Sequence, residues 1–115
     1  MALKVRVFHA EIQRLAEGHG TTLPLIMEHL AEQCAEAALE EARKIIPQLP
    51  DGFLVVEHGE DTRGLFFKVF PDGGATSADS KWSDYLSAKE QREHAWFEPA
   101  VASVVGPEAL RIGFF

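Results

Sequence analysis

From residue 3 the chain alternates, with Leu3, Val5 and Val7 apolar and Lys4 and Arg6 charged between them. That period of two predicts a short strand. At Phe8, Ile12 and Leu15 the spacing lengthens to three and four, which predicts a short helix ending in "EGHGTT", where Gly18 and Gly20 are natural stops. A longer helix follows. Thr22 is placed to cap it, and Pro24 suits a first turn whose N–H groups lack intrahelical partners. No Gly or Pro then recurs until Pro47. Ile26, Leu30, Cys34, Ala37, Ala38, Ala42 and Ile45 form one apolar stripe. The pattern predicts about 23 helical residues, roughly 35 Å at 1.5 Å each. Small side chains at Ala35, Ala37, Ala38 and Ala42 leave room for a second backbone to approach.

"PQLPDG" breaks the helix. Two strand patterns follow, "FLVVEH" (53–58) and "GLFFKVF" (64–70), the second setting Leu65, Phe67 and Val69 against Phe66, Lys68 and Phe70. They predict an antiparallel hairpin, with "GEDTR" as a connection too long for a two-residue turn. "PDGGATSADS" reads as a loop, and 71–81 is expected to order only on assembly. "SDYLSAKEQREHAWFEPAVASVV" is helical with an interruption at Pro99, which places a last short helix at 99–105. These elements predict an α+β fold, with a small antiparallel sheet packed against one long helix and short C-terminal helices. A single domain spans 1–115, with a globular body at 1–105 and an apolar tail at 106–115.

The chain's 115 residues are enough to bury a core without staples. The lone cysteine, Cys34, excludes an internal disulfide and fits a reducing compartment. Facing the apolar stripe, its thiol is expected to be buried and not a nucleophile. The opening stretch lacks the uninterrupted apolar run of a signal peptide, and no window approaches a membrane span. With 18 acidic against 11 basic residues the formal charge is −7. That balance argues against a domain that grips phosphates, which needs clustered Lys and Arg.

Candidate chemistry is sparse. Glu57, His58, Glu60 and Asp61 in "EHGED" are ligand-like side chains, but their spacing matches no established metal site. They are read as polar turn residues, with an acid–base or metal enzyme around Glu57 and His58 as the competing view. His9, His19, His29 and His94 fall on separate elements. No nucleophile elbow, phosphate loop or dinucleotide fingerprint is present in the sequence. No catalytic residue, metal or cofactor is therefore expected.

Two features point outward. Glu28, Glu32, Glu36 and Glu40 recur every four residues, so they stack along the long helix. Only Glu40 has an evident mate, Lys44. The row is either a solvated face or an acidic ridge that meets a basic neighbour or lines a water-filled lumen. Trp96 and Phe97 are adjacent and on a helix would diverge by about 100°. Either both cap the apolar face of the hairpin, or one enters the core while the other anchors a neighbour. Phe114 and Phe115 in the apolar tail are likewise expected at an interface.

The order of elements, the helix ending in "ARKIIP" and the closing "WFEPA" together resemble the neck and tail-completion proteins of long-tailed bacteriophages. In that family a Pro-Phe-Leu-x-Pro-Ala motif introduces the last helix. Phe97, Pro99 and Ala100 match it in type, while Trp96 stands in place of its first proline. The Thr-Gly-x-Leu step that usually follows the helix is replaced by "PQLPDGFL". The resemblance covers roughly residues 22–105. It implies a structural virion protein, assembled in the host cytoplasm as a homo-oligomeric, hexameric ring at the head–tail junction. Adjacent connector and tail-tube proteins would be its partners, and DNA would transit the lumen without specific binding. A tail terminator ring is an alternative within this class. A small intracellular regulatory or binding module, with a ligand under the hairpin, is the alternative outside it.

Overall fold

The computed structural model describes residues 3–44, 46–71 and 96–110. The opening alternation forms strand β1 (Leu3–Arg6), followed by helix α1 (His9–Gly18). Gly18 is still helical. The stop is Gly20, whose φ of 64° lets its own N–H reach Glu17 and the Thr21 N–H reach Ala16, closing the last turn.

The long helix is α2 (Leu23–Arg43), 21 residues in length. Thr22 holds the cap position with extended backbone, but its side chain makes no capping bond. Its carbonyl accepts the Ile26 N–H at 3.0 Å, and Pro24 sits in the first turn as expected. The buried face comprises Ile26, Met27, Leu30, Ala31, Cys34, Ala38 and Ala42. Met27 and Ala31 widen the expected stripe, and Ala37 is only half-buried at its edge. Ile45 lies outside the described residues. At the far end, Arg43 donates from Nε and Nη2 to the Leu49 carbonyl (2.9 and 2.7 Å) and from Nη2 to Asp51 (2.8 Å). This clamp ties the end of the helix to the "PQLPDG" break.

The hairpin pairs β2 (Leu54–Asp61) with β3 (Gly64–Pro71), and β3 pairs with β1 on its other side. The sheet is antiparallel throughout, in the order β1-β3-β2. The connection is tighter than the sequence suggested. Asp61 pairs with Gly64, so only Thr62 and Arg63 turn the chain. Two local features allow this. The Asp61 carboxylate accepts the Arg63 N–H at 2.8 Å, and Gly64 takes a φ of 113° that other residues avoid. Residues 57–61, expected in the turn, are therefore strand.

The chain re-enters at Trp96 and forms α3 (Phe97–Val105), two residues earlier than the expected start. Pro99 lies in its first turn, where a missing N–H leaves no bond unmade. A 3₁₀ turn (Pro107–Ala109) follows. Ala109 and Leu110 are buried, Val7 bridges to Leu110, and the Phe8 N–H donates to the Ala109 carbonyl at 2.8 Å. The globular body thus continues to residue 110 and does not stop at 105. Residues 111–115 lie outside the described residues.

The result is an α+β fold. Val5 and Val7, Leu54 and Val56, and Leu65, Phe67 and Val69 make the inner face of the sheet. The helices α2 and α3 meet each other, α2 packs on β2 and α1 packs beside α2. Phe67 and Phe97 are the largest fully enclosed side chains. Removing a ring from such a site forfeits its transfer free energy and leaves a cavity. Phe97→Ala is expected to lower unfolding free energy by about 3–5 kcal/mol in urea titrations.

Candidate functional site

The exposed faces follow from the same periodicities that build the core. On α2, Glu28, Glu32, Glu36 and Glu40 are all exposed, opposite the apolar stripe. Lys44 does not pair with Glu40. Its ammonium lies 3.1 Å from Glu41, three residues back on the half-buried flank. Among the described residues none of the four row glutamates has an ion-pair partner. Leu25, 58% exposed, heads the same face.

On the outer face of the sheet, the sequence analysis missed a compact cluster. Arg6 donates two hydrogen bonds to Asp61, at 2.7 and 2.8 Å, across the intervening β3 strand. The Lys4 ammonium lies 4.2 Å from the Phe66 ring centroid and 3.7 Å from Asp61. Phe66 lies flat against Gly59, where a Cβ would come within 2.6 Å of its Cζ. The signal was present but divided. Lys4 and Arg6 are 55 or more positions from Asp61, and only the strand order brings them together. The Arg6 bonds, with the Arg63 N–H, hold the Asp61 carboxyl well below the usual carboxylate range. The same contact raises the Arg6 guanidinium further above its ordinary value.

Glu57, His58, Glu60 and Asp61 do not converge as a turn cluster. They alternate along β2, with Glu57 and Asp61 on the outer face and His58 and Glu60 on the inner. Among the described residues no group of His, Cys, Asp or Glu is placed to hold a metal ion. Where the inner row turns polar, the hairpin projects past the core. A cleft of about 280 Å³ opens there between Leu23, Pro24 and Met27 of α2 and His58, Gly59, Glu60 and Leu65 of the hairpin. This is the space under the hairpin that a bound ligand would use, just below the usual small-molecule range of roughly 300–1,000 Å³.

Trp96 and Phe97 both enter the core, 2% and 0% exposed, with ring centroids 5.8 Å apart. The expected divergence does not apply, because Trp96 precedes the helix with φ −139° and ψ −38°. Both therefore pack inward and neither is an exposed anchor. Pro99 is exposed. Phe114, Phe115 and His94, and residues 72–81 of the predicted loop, lie outside the described residues. No described helix is long and apolar enough to cross a membrane. Scans against protein-family models, curated proteins and solved structures each find no match to this chain.

Cys34 is fully enclosed, and burial pushes its thiol up to about 12. With the folded value above the unfolded one, its contribution to stability is complete below the usual 9.0 and is lost as pH rises towards 12. A thiol reagent is expected to label Cys34 only after denaturant is added, and Cys34→Ala to flatten the alkaline fall in stability. Asp61 behaves in the opposite sense. Its contribution is present above the ordinary carboxylate value of 3.8 and fades as pH falls below it. Asp61→Asn is expected to lower the melting temperature at neutral pH, with the gap to wild type narrowing in acid.

Proposed function

We propose that this chain is a structural subunit of a ring at the bacteriophage head–tail junction, through which DNA passes. The observation that carries this reading is the row of Glu28, Glu32, Glu36 and Glu40. Like charges one turn apart cost a helix about 0.2–0.5 kcal/mol per pair. No described cation offsets them, and the fold makes no use of them. A wall lining a DNA channel does use them, because a surface of like sign keeps the duplex from adhering.

The order of elements supports the same reading. The long helix, the hairpin and the helix opened by Trp96-Phe97-Glu98-Pro99-Ala100 occur in the sequence of the neck and tail-completion proteins. The motif has a structural task here, since it delivers Phe97 and Trp96 to the core and starts α3. In this reading the row faces the lumen, and the subunit acts by shape and charge without catalysis.

Negative-stain microscopy of the concentrated protein, alone and mixed with candidate connector and tail-tube proteins, is expected to show annular particles. Replacing all four row glutamates with lysine should leave the fold intact and make the rings retain duplex DNA at low salt. A protein that stays monomeric when concentrated, and also joins no ring of those partners, would overturn the proposal.

A further inference from the structure

The two edges of the sheet are not equivalent. Val7, next to the Arg6–Phe66 pair, donates its N–H to Leu65 at 3.1 Å. Main-chain groups in an antiparallel ladder face alternate sides residue by residue. Leu65, Phe67 and Val69 therefore face β1, while Gly64, Phe66, Lys68 and Phe70 face β2. Their β2 partners are Asp61, Gly59, Glu57 and Val55. The intervening β2 residues, Leu54, Val56, His58 and Glu60, turn their N–H and C=O groups to the far side, where the order β1-β3-β2 places no further strand. Among the described residues these outward groups have no hydrogen-bond partner. The far side of β1 differs, because the Ala109 carbonyl and Leu110 already meet it.

From this open edge we infer that β2 is a strand-acceptor site, and that its occupant is an extended segment of a partner protein in which basic and apolar residues alternate. Main-chain bonds to Val56, His58 and Glu60 supply the pairing, as in other strand additions. The side chains of an added strand alternate between the two faces. Those level with His58 and Glu60 on the inner face fall at the apolar cleft floored by Met27 and Leu65. Those on the outer face stand beside Glu57. The charge selects the partner. β2 carries Glu57, Glu60 and Asp61 and no Lys or Arg. Asp61 is already bonded to Arg6, which leaves Glu57 and Glu60 for a partner's cations. A second copy pairing through its own β2 would set two acidic strands side by side, which like charges disfavour. An edge that repels its own kind is protected from self-association and remains open to a basic strand.

The inference does not depend on ring formation, so it can fail while the ring reading holds. The probe is a synthetic peptide of eight residues, the length of β2, alternating lysine with valine and leucine. Its controls are the glutamate counterpart and a lysine peptide N-methylated at every amide. Binding is read by calorimetry, and amide hydrogen exchange by NMR. The lysine peptide is expected to bind at least about tenfold more tightly than the glutamate peptide at low salt, and to slow exchange at Val56, His58 and Glu60. The methylated peptide is expected not to bind. The exposed pair Glu57→Lys and Glu60→Lys, made together, should reverse the preference between the charged peptides. Absence of binding, binding that survives methylation, protection away from β2 or an unreversed preference would each overturn the inference.

Discussion

The fold depends on how little α2 places on its buried side. Below Ile26, Met27 and Leu30 that side is Ala31, Cys34, Ala38 and Ala42, so the helix presents a shallow surface along most of its length. Interiors pack at crystal-like density, and a shallow surface must be met by bulk from its partners. The sheet supplies Phe67, and α3 supplies Phe97 with Val101 and Val105. Trp96 enters because the chain is not yet helical where it stands. Larger residues on α2 would hold α3 and the sheet apart, and smaller ones on the partners would leave voids. The aromatic pair is therefore the complement of the alanine stripe, and their positions are one constraint seen from two sides.

Much of this was legible from periodicity alone. The inner rows of β1 and β3, the course of α2 and the burial of Cys34 all follow from spacings of two or of three to four. The failures were at places where a side chain overrides local propensity. Nothing in the apolar pattern of 53–70 says that the Asp61 carboxylate will hold the Arg63 amide and tighten the turn to two residues. Once it does, "EHGED" becomes strand and its charges are distributed between two faces. Trp96 was assigned helical geometry that only Phe97 has. Leu110 was assigned to a tail because its partner, Val7, is more than a hundred positions away. The Arg6–Asp61–Phe66 cluster was out of reach for the same reason, since it exists only once β3 lies between β1 and β2.

The strand order also gives the two edges of the sheet different surroundings. Chain at Ala109 and Leu110 meets β1, the strand that bears Lys4 and Arg6. The outer edge belongs to β2, which is acidic, and the exposed face of α2 is acidic as well. Both cations of β1 lie close to Asp61 and over Phe66, so the basic residues of this sheet are engaged within the molecule while many acidic ones are not. A net charge of −7 is thus an uneven arrangement, and no diffuse excess. A partner approaching the sheet edge meets unpaired main-chain groups beside Glu57 and Glu60. A polyanion approaching α2 meets carboxylates alone. Attraction of a basic strand at one surface and exclusion of nucleic acid at another follow from where the acidic side chains stand, and both fit a subunit that contacts other proteins while DNA moves past it.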